Sequence, residues 1–204
     1  MLKVLKHILV FALISATIFA CTSCGKKDKN TATTTQSGVS VSDLSYKTPE
    51  DLLAIIWDNY PASNKFAVMG GDENNLNEDG PGKYSIANAE ELDAYLGFPA
   101  EKISEIDSAA CLINAMNQNT FTCAAYRFKD AISATQSIAA MKDNILARRW
   151  MCGFPDSLLI ITAPGNYVIT IWGINESSGI ITDFKQSALT SIPGAAIAAE
   201  EPIV

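Results

Sequence analysis

The chain has almost no histidine. His7 is the only one in 204 residues, and from residue 43 onward there is none. Without imidazole, Ser-His-Asp and Cys-His catalysis, His-dependent zinc sites and the usual proton shuttle near neutral pH are excluded from that part. Arginine is scarce as well: Arg127, Arg148 and Arg149 are the only three. From Asp43 to Val204, 21 acidic side chains stand against 10 basic ones, a net of −11. No basic stripe offsets this balance, which argues against a nucleic-acid partner and against charge-driven docking on anionic lipid. Paired cysteines are limited to Cys21 and Cys24. A zinc site would need a second such pair, and a thioredoxin-type motif would need a strand before it and a helix after it. No cofactor-binding pattern stands out, and none is expected.

What precedes and follows Cys21 has a different character. Lys3 and Lys6 are followed by an apolar run from His7 to Ala20 that carries no acidic residue. The run is shorter than the roughly 20 residues of a membrane span and fits the h-region of a signal peptide. Ile18-Phe19-Ala20-Cys21 resembles a bacterial lipobox. That resemblance implies a signal peptide over residues 1–20, lipid (diacylglyceryl and palmitate) on Cys21, and a location on the outer side of the cell membrane. Cys24 is the alternative acceptor, but it lacks the aliphatic residue three positions upstream that Ile18 supplies for Cys21. Residues 21–43 are rich in Thr, Ser, Lys and Asn and read as a flexible tether.

Residues 44–190 read as a single α+β domain, and the whole chain's 48% hydrophobic content leaves enough for a core. Thr48-Pro49-Glu50-Asp51 is a helix start with an N-cap, a proline at N1 and acids in the first turn. Asn88 with Glu91 caps a second helix through Leu96, closed by Gly97. Pro99 opens a third, with Ile103, Ile106, Ala110 and Ile113 at helical spacing. Residues 120–128 alternate like a strand. Residues 132–152 form a helix whose stripe includes Ile138, Met141, Ile145 and Cys152, ended by Gly153 and Pro155. Two β-branched runs at 158–162 and 167–172 flank Ala163-Pro164-Gly165-Asn166 as a hairpin. A last helix covers about 177–189. The C-terminal order is therefore β-α-β-β-α, predicting a small antiparallel sheet with helices packed mainly on one face. Residues 191–204, with Pro193, Gly194 and Pro202, read as a disordered tail.

Candidate chemistry is thin. Asp72, Asn75, Asn77 and Asp79 lie in a loop dense in oxygen ligands that imitates the first half of an EF-hand; Ile86 stands where the bidentate Glu belongs, so a solvated acidic loop is the plainer reading. Cys123 and Cys152 are candidates for a disulfide, with three inert core thiols, Cys111 included, as the alternative. Arg127, Arg148 and Arg149 would hold a carboxylate or phosphate if clustered; otherwise they pair with local acids such as Asp143.

Leu96-Gly97-Phe98-Pro99, Asn119-Thr120-Phe121-Thr122-Cys123, Lys142-Asp143-Asn144-Ile145 and Trp150-Met151-Cys152-Gly153-Phe154-Pro155 resemble a group of small bacterial lipoproteins. Some of these carry the label bacteriocin transport accessory protein. The resemblance covers about residues 49–189. It implies an envelope or transporter-associated accessory module and brings no catalytic residues with it. A thioredoxin-like accessory protein would have paired cysteines, whereas Cys152 has no partner three residues away. The expectation is a membrane-anchored extracytoplasmic binding or accessory module without enzymatic activity; the alternative is an envelope enzyme of the thiol-redox kind.

Overall fold

Thr48 opens the first helix, α1 (Pro49–Asp58), through the reciprocal bonds its neighbours allow. Its hydroxyl accepts from the Asp51 N–H at 3.1 Å, and the Asp51 carboxylate accepts from the Thr48 N–H at 3.1 Å. This capping box satisfies two donors that a helix start otherwise leaves orphaned. The computed structural model describes residues 43–204, so the expected signal peptide, Cys21, Cys24 and all but the last residue of the expected tether lie outside the described residues. After α1 come β1 (Val68–Met69), β2 (Gly82–Tyr84), α2 (Ala89–Leu96), β3 (Ile106–Asn114), β4 (Phe121–Phe128) and α3 (Ala131–Leu146). They are followed by β5 (Ser157–Ala163), β6 (Tyr167–Gly173), α4 (Ile180–Ser191) and β7 (Ala196–Pro202).

The seven strands form one sheet: six run in the order β1-β3-β4-β6-β5-β7, β2 pairs with β3 beside β1, and every pairing is antiparallel. β1 and β2 share the outer edge of β3: β1 pairs with residues 113 and 114, β2 with residues 109–111. The class is α+β, and β4-α3-β5-β6-α4 reproduces the predicted order. The 158–172 hairpin is present, with Ala163 opposite Tyr167. Its turn takes Gly165 and Asn166 at φ 86° and 65°, a conformation that glycine and asparagine tolerate.

Four expectations are corrected. Helices cover both faces of the sheet, not mainly one. Leu52, Leu53 and Ile56 of α1 and Ile181, Phe184 and Ala188 of α4 pack with Ala110, Leu112, Cys123, Ala125, Ile169 and Ile171. Leu92 and Leu96 of α2 and Met141 and Ile145 of α3 pack with Ala109, Cys111, Ala124, Tyr126, Val168 and Trp172. Successive strand residues thus alternate between two cores, which is why β4, Arg127 apart, and β6 are buried at every position and mostly apolar.

The helix predicted from Pro99 is only a 3₁₀ turn at Ala100–Glu105, and β3 follows. A central strand buried on both faces needs apolar residues at every position from 109 to 112. That demand overrides the helical spacing of 103, 106, 110 and 113. Similarly, α3 stops at Leu146, short of residue 152, because Arg148 and Trp150 turn away to pack on Trp172. Residues 191–204 are not a loose tail. β7 pairs with β5 from Ala196 to Pro202, and Ala199 and Ile203 rest on the α2/α3 core. The described residues fall within one compact unit.

Candidate functional site

Where β1 and β2 meet the edge of β3, the sheet is not covered completely. Between that edge, α2 and the loop joining β1 to β2 lies a half-open cavity of about 400 Å³. Its floor is Cys111 and Ile113 of β3, its wall Tyr95 and Leu96 of α2 with Tyr84 of β2. Leu76 closes it from the loop, and Asp72, Glu73 and Glu91 edge it.

The loop owes its shape to glycine and to one carboxylate. Gly70 and Gly82 press backbone on backbone: a Cβ on Gly82 would come within 2.6 Å of Gly70 O and Gly71 N. Gly70 and Asn77 exchange backbone bonds of 2.8 and 2.9 Å, pinning the loop's two arms. Inside it, Asp72 is 8% exposed. It accepts from Asn75 Nδ2 at 2.8 Å, Asn74 N at 2.9 Å and Ser85 N at 2.7 Å. Burial pushes its carboxyl pKa up, but these three donors together outweigh burial and hold it below the ordinary value. Asp72 therefore stays charged, with neutral donors and no cation among its hydrogen-bond partners.

The metal candidates are thereby reassigned. Asp72 spends its oxygens on the loop's own donors. Asn77 accepts from Asp79 N at 3.2 Å and donates to Pro81 O at 2.9 Å. Among the described residues, no group of three or more His, Cys, Asp or Glu side chains is placed to hold a metal ion.

The three thiols stand apart. Cys123 faces the α1/α4 core, whereas the loop carrying Cys152 follows α3 on the opposite face; both are free, and Cys152 is exposed. The disulfide fails on strand parity: the residue of β4 that looks toward α3 is Ala124, not Cys123. Cys111 sits at the cavity floor, its sulfur accepting from the Gly71 N–H at 3.2 Å. Burial pushes its pKa up to about 12, so it is a thiol rather than a thiolate and a poor nucleophile.

The arginines are not brought together. Arg127 pairs with Asp107 at 2.7 Å and donates to Lys47 O, beside Tyr167. Arg148 lies over the rings of Trp150 and Trp172 and donates to Asp93 O at 2.7 Å and to Ala94 O. It thus neutralises the C-terminal end of α2. Tyr167 and Trp172 are five residues apart on β6, roughly 16 Å along a strand. Arg149 is exposed. No anion site results, and the partners are Asp107 and Asp93, not Asp143.

Sequence reasoning missed the cavity, but the segments quoted for the family resemblance do meet in space. Asn144 Nδ2 donates to Gly97 O and Asp93 Oδ1. Asn119 Nδ2 donates to Met151 O and Gly153 O. They clasp the α2, α3 and β4 ends together, a structural role adjoining the cavity. No helix among the described residues is long and apolar enough to cross a membrane. No family profile, curated protein or solved structure matches the chain.

Proposed function

We propose that this chain is a lipid-anchored extracytoplasmic binding module that receives its ligand in the cavity beside β3. The cavity is the observation that carries the reading. A volume of about 400 Å³ with a mostly apolar lining falls in the range of small-molecule sites. Its groups favour binding over chemistry: a protonated buried thiol, tyrosines and three carboxylates without a base–nucleophile pair. The thiol-redox form of the envelope-enzyme alternative would need paired thiols, and among the described residues Cys111, Cys123 and Cys152 are free and lie on separate elements. The anchoring half of the proposal rests on Ile18-Phe19-Ala20-Cys21, and a transport-associated accessory role rests on the family resemblance alone.

Two experiments test it. Solution NMR of the chain with a mixed set of small apolar fragments should shift the amides of Gly71, Tyr95 and Ile113. Shifts confined to other surfaces would remove the cavity from the reading. Radiolabelled lipid should enter the wild-type chain and not Cys21→Ala; incorporation lost only in Cys24→Ala moves the anchor, and no incorporation in any variant removes it.

A further inference from the structure

We propose that the cavity selects an amphiphilic organic cation, an ammonium group carried on an aromatic or aliphatic body. The inference rests on the binding-module reading and adds the ligand's chemistry. Asp72, Glu73 and Glu91 edge the cavity, and no lysine or arginine is among its lining residues. β2 turns its one lysine, Lys83, away: Lys83 is exposed while Gly82 and Tyr84 on either side are buried. The negative field at the mouth is therefore not cancelled from within the site.

The carboxylates are too dispersed to chelate a metal ion, since no three acidic, cysteine or histidine side chains converge among the described residues. Dispersed carboxylates around an apolar pocket suit an ammonium group joined to a larger body, whose apolar part would rest on Leu96 and Ile113. Tyr84 and Tyr95 add aromatic rings at the wall, and a ring face attracts an ammonium by a further contribution. Tyr95 is 53% exposed and Leu76 51%, large apolar surfaces left uncovered on both sides of one opening. An anionic ligand of the same shape would meet only repulsion and desolvation at this rim.

Isothermal titration calorimetry of the full chain with three probes that share a phenylethyl body tests this: 2-phenylethylammonium, 2-phenylethanol and 3-phenylpropionate. The ammonium is expected to bind about tenfold tighter than the alcohol, with no heat from the carboxylate, since each partly exposed rim charge contributes only modestly. Glu73→Gln with Glu91→Gln, both exposed positions, should weaken the ammonium about five- to tenfold and leave the alcohol unchanged. Tyr95→Ala should weaken both. If the alcohol binds as tightly as the ammonium, or the paired Gln variant binds the ammonium as well as wild type, the cation assignment is overturned. In that case the cavity reading survives as long as Tyr95→Ala still weakens the alcohol. If no probe binds, both fail.

Discussion

Asp72→Asn is the substitution that most directly tests how the cavity's loop is held. The carboxylate is nearly buried and takes three donors at 2.7–2.9 Å, from Ser85 N, Asn75 Nδ2 and Asn74 N. Asparagine keeps the shape and one oxygen, but presents an NH₂ where Ser85 N now donates to Oδ2. A charge-assisted bond is lost and replaced by two donors face to face, for which about 2–3 kcal/mol is a reasonable cost. Against this stands the relief of burying one charge fewer. The two effects have opposite signs, and the lowered pKa says the hydrogen bonds win. A chain of this size loses about 2–4 °C per kcal/mol, so the melting temperature should fall by about 5–10 °C. The pH dependence adds a second signature. A folded pKa below the unfolded one stabilises the fold above the unfolded value of 3.8, and that stabilisation is lost as pH falls through the folded pKa. Calorimetric melts should therefore show the gap between wild type and variant widest near neutrality and closing below about pH 4. A variant that melts at or above wild type near neutrality would mean that desolvation dominates. A gap that stays constant down to acid pH would show that the charge is not what matters.

Removing residues 194–204 should cost about 3 kcal/mol or more, because the β5–β7 ladder and the packing of Ala199 and Ile203 go with them; unchanged thermal melting would restore the loose tail. Arg148→Lys keeps the charge but loses the stacked, forked guanidinium on Trp172 and the α2 carbonyls; a loss of about 2 kcal/mol with altered tryptophan emission is expected, and a neutral result would contradict that role. In the native protein, Cys152→Ser should remove one fast-reacting thiol in an Ellman assay, whereas Cys111→Ser should change only the count obtained in denaturant. Tyr46 and Tyr60, each pushed up to about 12 by burial first, and Cys111, likewise near 12, are neutral in the fold. A raised folded pKa stabilises below the unfolded value and loses that contribution above it, so circular dichroism should show stability falling from about pH 9 upward. A melting temperature flat to pH 11 would refute this.

What could be read from the residues was local chemistry. The Thr48 and Asn88 caps, the Gly97 stop and the Pro-Gly hairpin each depend on a few adjacent side chains, and each formed as written. What could not be read was set by distant partners. β3 is a strand because β4 flanks one edge and β1 and β2 the other, information that Ile103, Ile106, Ala110 and Ile113 do not carry. Pro193, Gly194 and Pro202 make residues 191–204 read as a tail, yet β7 forms within that stretch. It sits at the edge beside β5, where exposed glutamates such as Glu200 are tolerated and discourage further pairing.

The cavity was invisible for a related reason. Its lining comes from β1, β2, α2, β3 and the loops before β2 and β4, so no stretch of sequence carries its pattern. The one stretch that drew notice, residues 72–80, was ambiguous in a specific way. Asp and Asn followed by Gly serve both calcium loops and Asx turns, since both need short oxygen-bearing side chains and permissive backbone. What separates the two is where the oxygens point. In a calcium loop they converge on an ion; here Asp72 and Asn77 turn back to Asn74, Ser85 and Asp79 N–H groups. That inward use of Asp72 still leaves a full negative charge against the cavity wall. A loop that resembles a cation chelator in sequence thus becomes, once folded, a fixed anionic edge to an apolar cavity, better matched to a bulky organic cation than to a bare ion.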